Sequence, residues 1–242
     1  MAQLTAAERA NQLGATPARA AEYRYFTLVA GLFVATFLIA NTTAAKLFQL
    51  GPLFFPGGII IFPLSYIFGD VLTEVYGYAR SRQIIWTGFA AEVLMAIAYA
   101  VVIALPPAPF WTHQAAFETV LGQVPRIVVG SIAGYLVGEF VNSFVLAKMK
   151  VWTKGRYLWS RTIGSTIAGE GVDTVFFILI AFGGVWPAGQ LIITALSVYI
   201  FKVVYEILAT PLTYLVVGFL KRHEGVDHYD IGTRFSPFRW IA

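Results

Sequence analysis

Apolar runs long enough to cross a bilayer recur six times along this chain of 242 residues. They are Tyr25–Ala45, a stretch from around Pro56 to near Tyr78, Gln83–Leu105, about Ile127–Ala147, Thr162–Phe182 and Gln190–Leu220. A helix needs about 20 apolar residues to cross a hydrocarbon core ~30 Å thick. Composition agrees with that reading. The chain is 58% hydrophobic and 12% charged, where a soluble domain carries about 25% charged residues. The expected fold is an all-α integral membrane domain of six transmembrane helices, because in hydrocarbon each segment must satisfy its own backbone.

Proline and glycine mark the boundaries. Gly51-Pro52 and Pro56-Gly57-Gly58 break the chain before the second run. Pro106-Pro107-Ala108-Pro109 stops the third. Residues 106–125 then form the longest connection, with Phe110 and Trp111 as interface anchors. The sixth run is longer than the bilayer needs, so it must tilt, start outside or bend, and Pro211 is the natural bend.

Basic residues set the orientation. Arg9, Arg19 and Arg24 precede the first run, and Arg80 and Arg82 follow the second. Lys148, Lys150, Lys154, Arg156 and Arg161 follow the fourth, and Lys221, Arg222, Arg234 and Arg239 follow the sixth. If six helices alternate, these fourteen of the 17 basic residues share one side. Both termini are therefore expected in the cytoplasm. Residues 1–22 read as a cytoplasmic tail without a signal-peptide core, 23–220 as the membrane domain, and 221–242 as a second cytoplasmic tail. The net charge of +4 comes from these flanks, so the expected partner is the lipid bilayer and not nucleic acid. There is no cysteine, which excludes disulfide and thiolate chemistry.

Seven of the 13 acids lie inside the apolar runs: Asp70, Glu74, Glu92, Glu139, Glu170, Asp173 and Glu206. Lys202 is the one clear base among them. A charge at the bilayer centre costs about 2.5–3.5 kcal/mol on insertion scales. The surplus acids are therefore either held neutral or await a cationic or donor-rich ligand, and both point to transport. Spacing places them on faces. Asp70 and Glu74 are four apart, with Tyr66 one turn before. Glu170 and Asp173 are three apart, and Glu139 and Asn142 likewise. Lys202 and Glu206 are four apart and can pair along their helix. Glu74, near its helix end, can also be taken up by Arg80 or Arg82. Gly130, Gly134 and Gly138 form a small-residue stripe, suited to packing inside the bundle or to a homodimer face.

The two halves share a weak pattern: an Asn on the first helix, an acid pair on the second, an acid on the third. Three helices per half would make the second an inverted repeat of the first. The chain has no phosphate-binding loop, no zinc-binding His-Glu-x-x-His and no nucleophile elbow. An enzyme and a cofactor are not expected.

Pro63-Leu64-Ser65-Tyr66 followed by Asp70-Val71-Leu72-Thr73-Glu74-Val75-Tyr76-Gly77-Tyr78 resembles the signature of the queuosine precursor transporters, a family also known as the vitamin uptake transporters. Gly169-Glu170-Gly171-Val172-Asp173-Thr174 resembles that family's second signature, and Asn41-Thr42-Thr43-Ala44-Ala45-Lys46 also fits its pattern. The resemblance covers about Tyr25–Leu220. It implies an inner-membrane importer of 7-deazaguanine bases such as preQ0 and preQ1, used in tRNA queuosine salvage. Asp70 and Glu74 then carry over from the first motif as substrate-binding residues, and Glu170 and Asp173 from the second. Tyr66, Asn142, Lys202 and Glu206 join them by burial and position, and Phe62, Tyr199 and Tyr205 are further aromatic candidates. The alternative is a substrate-capture subunit of a multi-component uptake system driven by separate ATPase subunits. An intramembrane enzyme using Asp70 and Glu170 as acid and base lacks an accompanying nucleophile or metal set.

Overall fold

The computed structural model describes residues 23–51, 53–122, 124–184, 187–226 and 236. The N-terminal tail expected at 1–22, and all of the expected C-terminal tail but 221–226 and Ser236, lie outside the described residues. The described residues form seven helices and one hairpin, in order: α1 (Phe26–Thr43), β1 (Leu47–Leu50), β2 (Leu53–Pro56), α2 (Phe62–Tyr76), α3 (Tyr78–Ala104), α4 (Gln114–Leu121), α5 (Val124–Trp152), α6 (Leu158–Phe182) and α7 (Ala188–Glu224). Among the described residues, five stretches are long and apolar enough to cross a membrane: α1, α3, the α4–α5 stretch, α6 and α7. The protein is a multi-pass helical membrane protein. Its outward faces carry Leu94, Ile97, Phe176, Leu208 and Leu215, all well exposed, as a surface solvated by lipid requires.

The second expected span departs from a plain crossing. Its first part folds as an antiparallel hairpin, Leu47 opposite Pro56 through Leu50 opposite Leu53, with Gly51 at positive φ in the turn. A single 3₁₀ turn, Gly57–Ile60, follows. Only 15 residues are left for α2, about 22 Å of helix. The glycines and prolines that break the helix at 51–58 are the cause. α2 holds Pro63 in its first turn, where the missing N–H costs nothing, and stops at Gly77, whose φ of 86° few other residues adopt. Every residue from Gly69 to Tyr76 is buried. A helix buried all round belongs at the centre of a bundle. Packing against α1, α3, α5 and α7 puts α2 there.

α5 and α6 make the most extensive helix pair, and the glycine stripe explains it. A Cβ built on Gly138 would sit 2.8 Å from the Gly169 carbonyl oxygen and 2.6 Å from the Asp173 Cβ. One built on Gly130 would meet the Phe177 carbonyl at 3.1 Å. The stripe is thus taken up inside the bundle and offers no free face to a second copy. α7 continues as one helix through Pro211, with the Thr210 hydroxyl donating to the Glu206 carbonyl at 2.8 Å. The connection at 106–125 contains a short helix, α4, that no sequence pattern announces; Phe110 stands 88% exposed beside it.

Gly138→Ala should therefore force α5 and α6 apart and cost about 1–3 kcal/mol, the usual range for overpacking. Gly31→Ala is the control, since nothing lies within 4 Å of its added Cβ and alanine favours helix by up to about 1 kcal/mol. Melting in detergent should fall for the first variant and hold or rise for the second.

Candidate transport site

The face of α2 that carries Phe62, Tyr66, Asp70 and Glu74 runs down the middle of the bundle, one residue per turn. At the hairpin end lies a cavity of about 40 Å³, room for a few waters. It is lined by Ala40, Asn41, Ala44, Pro56, Gly58, Ile59, Phe62, Ser131, Asp173, Phe177, Val198 and Lys202. The hairpin covers it, leaning on α7 where the Phe55 and Phe201 rings meet at 5.8 Å. Lys202 and Asp173 are its charged lining, and the buried acids continue beyond them.

Lys202 does not pair with Glu206, as its i,i+4 spacing suggests. Its ammonium lies 2.5 Å from both Glu170 Oε2 and Asp173 Oδ2 on α6, and 4.3 Å from the Phe62 ring centroid. Helical side chains lean toward the N-terminus, so Lys202 leans toward the hairpin end and away from Glu206. Two carboxylates across the seam also outweigh one along the helix. The ammonium donates a hydrogen bond to Asp173 and forms an ion pair with Glu170 Oε2, while Glu170 Oε1 has no hydrogen-bond partner among the described residues.

One turn deeper, Asn142 Nδ2 donates to Asp70 Oδ1 at 2.8 Å. Asp70 Oδ2, Asn142 Oδ1 and both Glu206 oxygens find no hydrogen-bond partner among the described residues. Glu139 accepts a long bond from the Ser143 hydroxyl, 3.4 Å, has the Asn142 amide beside it, and lies against Gly69, where a side chain would collide with it. The Tyr66 hydroxyl is buried and likewise has no partner among the described residues. The structure therefore brings six of the eight predicted site residues fully into one cluster: Tyr66, Asp70, Asn142, Glu170, Asp173 and Lys202. Glu206 joins them through its electrostatic contact with Asp70.

Glu74 stands apart. Its Oε1 takes Arg161 NH2 at 2.8 Å, Lys221 Nζ at 2.6 Å and Lys150 Nζ at 3.4 Å. Lys150 also donates to the Glu74 carbonyl at 2.7 Å. The partners are not Arg80 or Arg82, the near neighbours in sequence, but bases from the ends of α5, α6 and α7. Arg80 instead covers the Tyr23 ring at 4.5 Å, and Arg82 donates to the Ser236 carbonyl at 2.9 Å. Glu74 is a clamp that gathers three helix ends. Tyr199 is also outside the cluster, donating to the Ile167 carbonyl at the α6–α7 seam. Glu139 belongs to the cluster although the sequence marks it only as an intramembrane acid sharing a face with Asn142 and not as a site residue. Tyr135, one turn before it, carries no sequence signal, since a lone tyrosine in an apolar run reads as core.

Buried acids facing one another inside a multi-pass bundle, with a void leading to them, are the mark of a membrane transporter. Residues 56–216 match the family described as "Putative vitamin uptake transporter", a span that holds every member of the acid cluster. The chain belongs to that family of vitamin uptake transporters. A relative from Bacillus subtilis (strain 168), named "Probable queuosine precursor transporter", is 30% identical over 189 residues, 76% of this chain and 82% of the relative. No solved structure matches the chain.

The two kinds of buried acid should respond oppositely to neutralisation. Glu74→Gln leaves three cations around one amide, and breaking a buried ion pair costs about 3–5 kcal/mol. Glu206→Gln removes a charge that has no partner among the described residues, so the melting temperature should hold or rise. Thermal unfolding of the two variants in one detergent separates clamp from site.

Proposed function

We propose that this protein imports queuosine precursors, 7-deazaguanine bases such as preQ0 and preQ1, across the cell inner membrane for tRNA queuosine salvage. One observation carries the reading. Acceptor oxygens without a donor among the described residues converge from four helices: Asp70 Oδ2 on α2, Glu139 Oε2 and Asn142 Oδ1 on α5, Glu170 Oε1 on α6 and both Glu206 oxygens on α7. A guanine-like base presents a ring N–H and an exocyclic NH2 side by side, which one carboxylate accepts in a bidentate fashion. An aminomethyl substituent adds a cation. Tyr66 and Phe62, 5.8 Å apart between ring centroids, offer flat faces to the ring. The name of the B. subtilis relative points to the same substrate class.

The cavity of about 40 Å³ is far too small for a bicyclic base, so binding requires α2 and α7 to part at the hairpin end. In this reading α2 counts as a sixth span, shortened by the hairpin, and both chain ends lie in the cytoplasm. The gathering of Lys150, Arg161 and Lys221 at one end of the bundle supports that orientation. The two three-helix halves are inverted repeats, α1–α3 against α5–α7, and a homodimer would have to form on a face other than the glycine stripe.

A strain unable to make the precursor, fed preQ1, tests the reading through the queuosine content of its tRNA. The intact protein should restore queuosine, and Asp70→Asn or Glu170→Gln should abolish most of the rescue. Unchanged salvage in both variants sinks the site assignment, and no rescue by any 7-deazaguanine sinks the substrate class. Uptake by the purified protein alone in liposomes is expected, and its absence would favour a capture subunit that needs partner ATPases.

A further inference from the structure

Besides the Glu74 clamp, a second buried acid lies outside the cluster that the importer reading uses. Glu92 on α3 is fully buried. Its Oε1 accepts a hydrogen bond from Asn41 Nδ2 at 3.1 Å, and its Oε2 has no partner among the described residues. Asn41 Oδ1 in turn accepts from the Ser131 hydroxyl at 2.6 Å. Asn41 and Ser131 both line the cavity under the hairpin. Glu92 is therefore one side chain removed from a space that holds water-sized guests.

Tyr135 of α5 stands on the other side of Glu92. It is completely buried, and its hydroxyl has no partner among the described residues. Glu139 and Glu92 both act electrostatically on that hydroxyl, which would lie 3.3 Å from a Cβ on Gly88, one turn before Glu92. The Tyr66 hydroxyl in turn faces Glu139, Glu170 and Asp173. Carboxyl and phenol groups thus alternate from Glu92 to the base-facing cluster. Around Glu92 itself, α1 supplies the neutral Asn41 and α5 supplies Tyr135 with Glu139 beyond it; among the described residues of α2 and α4, no charged group acts on it.

We propose that Glu92 is a proton-binding site distinct from the base site, filled from the hairpin-end cavity past Asn41 and Ser131 and emptied through Tyr135 and Glu139, and that its proton drives uptake. The inference rests on the importer reading. The Glu92 carboxylate takes a proton from cavity water and becomes a neutral acid. The Tyr135 hydroxyl turns to meet Glu92 and accepts that proton as its own passes to Glu139; Glu92 and Tyr135 then stand at their starting count, and Glu139 returns to its own when it sheds the proton on the far side. A metal ion is disfavoured because Asn41 presents an amide N–H to Glu92, whereas hard cations require converging oxygens. Ionised, Glu92 holds the Asn41 amide by a charge-assisted bond. Protonated, it loosens that hold, and Asn41 can answer to whatever fills the cavity.

Two measurements on the full-length protein in liposomes test this. Infrared difference spectra across a pH titration, without any base present, should show a carboxylic-acid carbonyl band in the wild type that Glu92→Gln removes. With labelled preQ0 and preQ1, an inward proton gradient should drive accumulation by the wild type. Glu92→Gln should lose that accumulation and the accompanying acidification of the lumen, while base counterflow at equal pH persists. Tyr135→Phe keeps the ring and its packing and should slow gradient-driven uptake in the same way. Absence of the titrating band, accumulation that survives in Glu92→Gln, or accumulation driven by sodium instead of protons overturns the proposal. A titrating Glu92 in a protein that exchanges neither base would sink the importer reading and leave the proton site standing.

Discussion

A carboxylate cannot be left alone in hydrocarbon, and α2 carries two of them through the middle of the bundle. The rest of the architecture answers to that constraint. Glu74 is met by three bases drawn from the ends of α5, α6 and α7, which ties those ends to the central helix. Asp70, four residues earlier, is met by an amide and otherwise by more acids. The same helix face therefore changes character within one turn, from a neutralised clamp to an open set of acceptors. Compensated charge holds the structure at one end, and uncompensated charge is kept available nearer the middle. The second arrangement costs stability, and a transporter is where such a cost has a use.

Much of this is legible in the chain. Long apolar runs mark the helices α1, α3, α5, α6 and α7 to within a few residues, because hydrocarbon admits few other solutions. The intramembrane acids stand out for the same reason, and six of the predicted residues meet in one cluster. Sequence fails where the partner lies on another helix. Spacing makes Lys202 and Glu206 look like a pair, since adjacency along one helix is all that spacing reports. The cross-seam pull of Glu170 and Asp173 becomes visible only once α6 is docked on α7. Glu74 shows the same limit, since its cations are separated from it by 76, 87 and 147 residues. The hairpin at 47–56 is hidden by its own turn residues, which announce a break without saying that strands flank it.

The N-terminus of α1 and the C-terminus of α7 are also joined. Glu224 accepts from the backbone N–H groups of Arg24 and Tyr25 at 2.9 and 2.7 Å, and from the Tyr76 hydroxyl at 3.0 Å. An acid at a helix N-terminus satisfies donors that the helix leaves free and favours its dipole. The same carboxylate links the first helix, the last helix and the central one, so the bundle closes on itself near the Glu74 clamp.

The glycine contacts between α5 and α6 divide the molecule mechanically. Backbones pressed together at Gly130, Gly134 and Gly138 cannot slide without atoms colliding, so these two helices move as a single lever. The seams around α2 and α7 are bridged by side chains, chiefly Lys202, Phe62 and Tyr66, whose contacts can break and re-form by changes of rotamer. A rearrangement at those side-chain seams would therefore leave Glu139, Asn142, Glu170 and Asp173 together on one rigid block.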